Sequence, residues 1–154
     1  MVRGLLHIPH MIDTLSEPAM TAAPRVTEVP VRLPEGLLGF EKYTDWVLIS
    51  VPDEAPFQWL QVAGNPRLAF VVIAPEEITR TYLPDLAPDD VERIGLESAE
   101  DAMLLNIVTV RAHGKSTVNL KGPIVINRHT MTGKQMIPLN ALGLDLQHPL
   151  PVGS

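Results

Sequence analysis

From residue 26 onward, short apolar runs alternate with proline, glycine and asparagine breakers, a rhythm that predicts strands rather than long helices. Val26, Val29, Val31 and Leu33 supply β-forming side chains, and Pro30 restricts that strand to an edge or a bulge. The turn Pro34-Glu35-Gly36-Leu37-Leu38-Gly39-Phe40 follows. Further strands are predicted over residues 46–51, 57–62 and 68–73, divided by Pro52-Asp53, Pro56 and Gly64-Asn65-Pro66. The last two lie close enough in sequence to form a hairpin.

The middle of the chain holds the one convincing helix. Pro88 suits a first turn, Asp89 and Asp90 complement the positive end of the helix dipole, and Val91 and Ile94 form an apolar stripe. Gly95 is placed to end it, and Ser98-Ala99-Glu100-Asp101 can cap a further short turn through Ser98. Strands resume over 103–110, 117–120, 124–127 and 135–139, with Gly114, Gly122-Pro123 and Thr132-Gly133 as punctuation. The unbroken apolar character of the first predicts cover on both of its faces. Trp46 and Trp59 are expected to anchor the core. The pattern predicts a mainly β fold, a small antiparallel β-barrel-like single domain with one or two short helices. That domain spans 25–150, after a breaker-rich flexible arm over 1–24 and before a short tail over 151–154.

At 154 residues the chain is long enough to bury one sizeable core. The absence of cysteine excludes disulfides, thiol catalysis and cysteine-based zinc sites. No apolar run approaches the ~20 residues of a membrane helix and no signal peptide is evident, so a cytoplasmic protein without a membrane partner is expected. The net charge of −6 opposes direct binding of nucleic acid. Charge is also unevenly spread. Residues 76–101 hold nine acids against Arg80 and Arg93, hence −7, whereas Arg111, Lys115, Lys121, Arg128 and Lys134 lie in a stretch with no acid. Solvated faces account for such runs, and so does docking of a basic partner.

Motifs of catalysis are lacking: there is no dinucleotide fingerprint, phosphate loop, nucleophile elbow or zinc-protease helix. His7 and His10 form a lone H-x-x-H in the arm, and His113, His129 and His148 have no ligand spacing. No catalytic residue, metal or cofactor is expected. Asp89 and Asp90 are better explained by helix-start electrostatics than by acid–base chemistry. A small β-barrel enzyme or flavin-binding protein is the alternative reading, and a nucleic-acid-binding barrel a more distant one.

Two segments resemble signatures of the FliW family of flagellar assembly factors. Leu33-Pro34-Glu35-Gly36-Leu37-Leu38-Gly39-Phe40-Glu41 is similar to its opening turn, and Asn119-Leu120-Lys121-Gly122-Pro123-Ile124-Val125-Ile126-Asn127 to a later element. The features between and after them agree in order, so the resemblance runs from about residue 28 to 150 and leaves the arm without a counterpart. Gly122 stands where the family often has alanine. Gly36, Gly39, Phe40, Asn119, Pro123 and Asn127 are expected to be fold determinants. The glycines permit a tight reversal, Leu37, Leu38 and Phe40 plug one barrel end, and the asparagines satisfy turn backbone. The resemblance implies a protein that antagonises the translational repressor CsrA and also binds flagellin, coupling flagellin synthesis to flagellum assembly. Glu76, Glu77 and Asp85, in the densest acidic stretch, are the candidate contacts for CsrA.

Overall fold

The computed structural model describes residues 25–112 and 115–150. The predicted arm over 1–24, the tail over 151–154, and His7, His10 and His113 lie outside the described residues. The described residues form nine strands: β1 (Thr27–Arg32), β2 (Asp45–Ser50), β3 (Gln58–Val62), β4 (Asn65–Ile73), β5 (Ala102–Thr109), β6 (Thr117–Val118), β7 (Ile124–Asn127), β8 (Thr132–Gln135) and β9 (His148–Pro149). Their order is β4-β3-β2-β1-β8-β7-β5-β6-β9, and an additional β4–β5 pairing closes the first seven into a barrel. Among the described residues one α-helix, α1 (Pro88–Arg93), and single 3₁₀ turns fill the connections.

The expected mainly β barrel is present, with one refinement. Six of its seams are antiparallel, but β1 meets β8 in parallel, through Arg32 and Thr132. The Arg32 N–H donates to the Met131 carbonyl at 2.9 Å across that seam. Pro30, two residues earlier, presents the same strand edge, where its missing N–H interrupts no ladder.

Strand parity sorts the apolar side chains into layers. Val31, Leu33, Trp46, Leu48, Leu60, Val62, Val72, Leu105, Ile124 and Ile126 fill the barrel. Ile94, Val125 and Met136 make a second cluster, with Ala102 and Leu104 packed against it. A third gathers Ile73, Val108, Val118 and Leu120 beneath Tyr82, Leu144 and Leu150. β5 is therefore covered on both faces: Met103, Leu105 and Ile107 face the barrel, Ala102 and Leu104 the cluster of Ile94. Every residue of β7 is buried.

Several local expectations shift. Trp46 is 1% exposed, with its indole N–H donating to the Tyr43 carbonyl at 2.8 Å. Trp59 lies on the opposite side of β3 from buried Leu60 and Val62, half-buried, and donates to Glu54 at 2.8 Å. Only one of the two tryptophans anchors the core. The strand expected over 135–139 lies earlier, as β8, because Gly133 is a close-packing position rather than a break. A Cβ there would stand 2.6 Å from the Val125 carbonyl oxygen. Residues 136–139 bond elsewhere, Met136 N–H to the Pro123 carbonyl and Leu139 N–H to that of Asp85. β9 had no forecast; two residues of which one is proline give almost no periodic signal.

Candidate partner-binding site

Both glycines of the first motif occupy the left-handed region, Gly36 at φ +65° and Gly39 at φ +88°, but for different reasons. A Cβ on Gly36 would meet the Phe40 carbonyl oxygen at 2.5 Å, whereas one on Gly39 would meet nothing within 4 Å. The first glycine is required by space and conformation, the second by conformation alone. Leu37 is buried and bridges to Phe40, whose N–H donates to the Leu37 carbonyl at 2.7 Å. Phe40 meets Phe70 edge-on, ring centroids 5.2 Å apart. Leu38 corrects the expected plug: it is 63% exposed and points away from the barrel. The Glu41 carboxylate accepts the Gly39 N–H at 3.1 Å, a bond that holds its pKa below the ordinary value.

The second motif is fixed by its polar side chains. Asn119 Oδ1 accepts the Lys121 N–H at 2.8 Å, closing a tight turn ahead of buried Gly122 and Pro123. Asn127 donates through Nδ2 to the carbonyls of Ile94, at 2.9 Å, and Gly95, at 3.3 Å, while Oδ1 accepts the His129 N–H at 2.9 Å. One buried amide thus caps the end of α1 and shapes the turn leaving β7. Tyr82 reaches the same motif, its hydroxyl donating to the Leu120 carbonyl at 2.8 Å; burial raises its pKa and keeps that proton in place.

The two charged stretches are not separate faces. Lys134 lies 3.4 Å from both Glu35 and Asp90, and Arg93 lies 3.0 Å from Glu35. This network ties the first turn, α1 and β8 together. Arg128 donates to the carbonyls of Glu100 and Ala102, both at 3.0 Å. Asp101 contacts His129 Nε2 at 2.8 Å and accepts the N–H groups of Ser98 and Glu97. The turn expected to be capped through the Ser98 side chain is instead held by Asp101, whose carboxylate accepts the Ser98 N–H and whose own N–H donates to the Ser98 carbonyl, both at 3.1 Å. The His129 hydrogen bond is the main reason the Asp101 pKa is lowered.

Glu76, Glu77 and Asp85 remain outside these networks: among the described residues no base lies within ion-pair distance of them. Glu76 and Glu77 are exposed on the 3₁₀ turn Pro75–Glu77 that follows β4, while its Pro75 is buried. Asp85 is also exposed, and the bonds that place its backbone run to residues 139–140 rather than to that turn. Unlike Asp90 and Asp101, these carboxylates are left for solvent or a partner. Among the described residues no group of three or more His, Asp or Glu side chains is arranged to hold a metal ion. No described helix is long and apolar enough to cross a membrane.

Sequence reasoning missed the exposed apolar residues Leu83, Ile137, Leu139 and Leu142. Ile137 and Leu139 read as strand interior; only the buried Pro138 between them reveals that both point outward.

A family model described as FliW protein matches residues 18–150. The match begins inside the stretch assigned to the arm, so residues 18–24 do have a family counterpart. A flagellar assembly factor FliW of Leptospira interrogans is 42% identical over 109 residues, covering 70% of this chain and 73% of the relative. One of Clostridioides difficile is 35% identical over 121 residues, covering 78% and 92%. A crystal structure of the flagellar assembly factor FliW superposes with a TM-score of 0.73 at 35% identity, covering 81% of this chain and 88% of the other.

Proposed function

This chain belongs to the FliW family of flagellar assembly factors, and on that premise we propose that it acts in the cytoplasm by binding proteins, without catalysing a reaction. Its partners in this reading are CsrA, which it sequesters from flagellin messenger RNA, and flagellin, which displaces CsrA. Accumulating flagellin then frees the repressor, and flagellin synthesis falls until secretion draws the pool down.

The observation that supports CsrA capture on this chain is the state of its acids. A regulator that binds RNA carries basic surface, and a basic surface is steered by carboxylates not already neutralised. Of the nine acids in the stretch, Asp90 is paired with Lys134 and Asp101 is hydrogen-bonded to His129, whereas the other seven, Glu76, Glu77 and Asp85 among them, are exposed and have no described cation in reach.

Replacing these three by lysine should slow association with CsrA at low salt and flatten the salt dependence of the on-rate. The fold should be untouched, since no described ion pair involves these side chains. On-rates equal to those of the unaltered protein at low salt would place the interface elsewhere.

A further inference from the structure

Five of the eight large hydrophobic side chains exposed among the described residues fall on two short segments: Leu83 on one, Ile137, Leu139, Leu142 and Leu146 on the other. Isolated exposed leucines are ordinary, but a group gathered in one place is not. The backbone brings these segments side by side. The Leu139 N–H donates to the Asp85 carbonyl at 2.7 Å. The Asn140 carboxamide spans the extended strip 83–85, accepting the Asp85 N–H at 2.8 Å and donating to the Leu83 carbonyl at 3.1 Å. That side chain takes the place of a neighbouring strand. The exposed leucines therefore stand on a braced ledge, and a braced surface loses little conformational entropy when it binds.

The two segments themselves carry charge of one sign, and one of its two bearers, Asp145, lies 3.5 Å from His148 Nδ1. Residues 81–87 and 135–147 contain no lysine or arginine, and their only charged side chains are Asp85 and Asp145, both exposed. The base next along the chain, Lys134, is already held by Glu35 and Asp90. An apolar surface that carries the unpaired carboxylate of Asp85 selects an apolar strip bordered by cations.

We propose that the ledge of Leu83, Ile137, Leu139 and Leu142 docks an amphipathic segment of a partner protein whose apolar face is flanked by lysine or arginine. The proposal goes beyond the reading of the acidic turn and holds whether or not CsrA is the regulator taken there.

The test uses the full chain and a labelled synthetic peptide of about 18 residues, long enough to form a helix, with leucines on one face and lysines beside them. A second peptide replaces every lysine by glutamate. Fluorescence anisotropy should show saturable binding of the lysine peptide and at least about tenfold weaker binding after Leu139→Ser with Leu142→Ser, as expected when central apolar contacts are lost. Asp85→Asn, which leaves the backbone bonds of Asp85 intact, should weaken the lysine peptide and leave the glutamate peptide unchanged. It guards against the leucine variant acting through misfolding. Equal binding of both peptides, or equal binding to the leucine variant, overturns the proposal. So does sedimentation showing that the chain alone dimerises and that the leucine variant does not, since a second copy would then occupy the ledge. Capture of anionic vesicles abolished by the same substitutions overturns it in favour of a lipid surface.

Discussion

Gln135 Oε1 accepts the Leu38 N–H at 2.8 Å across 97 residues of sequence, and the Nε2 of the same carboxamide donates to the Gly122 carbonyl at 3.1 Å. One side chain on β8 thus joins the Gly36–Phe40 turn to the Asn119–Asn127 element. Gln135→Ala should cost about 1–2 kcal/mol, the range for losing hydrogen bonds in a partly buried site. Gly122→Ala should cost less than about 1 kcal/mol, because its new Cβ meets side-chain atoms rather than backbone, Gln135 Nε2 at 3.0 Å and Asn119 Nδ2 at 3.4 Å. Urea midpoints of the two variants check both; a larger loss at Gly122 than at Gln135 would contradict the linkage.

The two turn glycines should separate in the same assay. Gly39→Val is expected to lose roughly 1–3 kcal/mol, through an unfavourable left-handed backbone alone. Gly36→Ala should lose more, about 2–5 kcal/mol, since backbone strain combines with overpacking. Its Cβ would press on backbone atoms of Phe40 and Glu41 at 2.5–2.8 Å, which have no free rotation by which to yield. An alanine tolerated at 36 but not at 39 would reverse this assignment.

Asn127→Ala removes two donors' worth of contact to the carbonyls of Ile94 and Gly95 and one acceptor from the His129 N–H, at a site 5% exposed. A loss of about 2–4 kcal/mol is expected, from unmade bonds at buried groups. Asn127→Asp keeps the acceptor and loses the donor. It should therefore speed amide exchange around Gly95, at the end of α1, more than at His129. Uniform exchange at both would show that α1 is held by packing alone.

These residues also show where sequence reasoning stops. Most strand positions, the breakers between them and the limits of α1 were legible, the last because Pro88, Asp89, Asp90 and Gly95 act on their own backbone, and Gly95 indeed ends the helix at φ +73°. The β3–β4 hairpin was legible because Gly64 sits locally between its strands. Contacts created by distant chain were not: the parallel Arg32–Thr132 seam, β9, and the pairing of Asp90 with Lys134. Charge counting found the acidic stretch and could not divide its neutralised members from its free ones. The ledge was hidden in the same way, since an apolar run does not reveal which residues face out until its hydrogen-bond partner is known.

Asp101 makes the fold sensitive to acid in a defined direction. Its pKa is lowered, first by His129 and then by backbone donors at Glu97 and Ser98, so the charged form is the one the fold stabilises. That contribution is fully present above the ordinary carboxyl value of 3.8 and is lost as pH falls through the lowered one. His129→Ala should move the Asp101 titration upward, read by carboxyl carbon NMR. An unmoved titration would assign the lowering to the backbone donors.

We propose that flagellin and CsrA exclude each other on this single domain. Asp85 is a candidate CsrA contact and also borders the apolar ledge, so a partner on either surface would contend for it. Two standard interfaces of about 800 Å² per side have little room to avoid each other on a domain of this size. Linkage makes the coupling reciprocal: whatever factor flagellin takes from CsrA affinity, CsrA takes from flagellin affinity. A working switch needs several kcal/mol, about 5.5 for a shift from 1:99 to 99:1, and steric exclusion supplies it without a change of fold. Calorimetric titration of flagellin into the preformed CsrA complex tests this most directly. CsrA should be displaced, with a weakened apparent flagellin affinity that falls further as CsrA is raised; a stable ternary complex with both affinities intact would rule out exclusion.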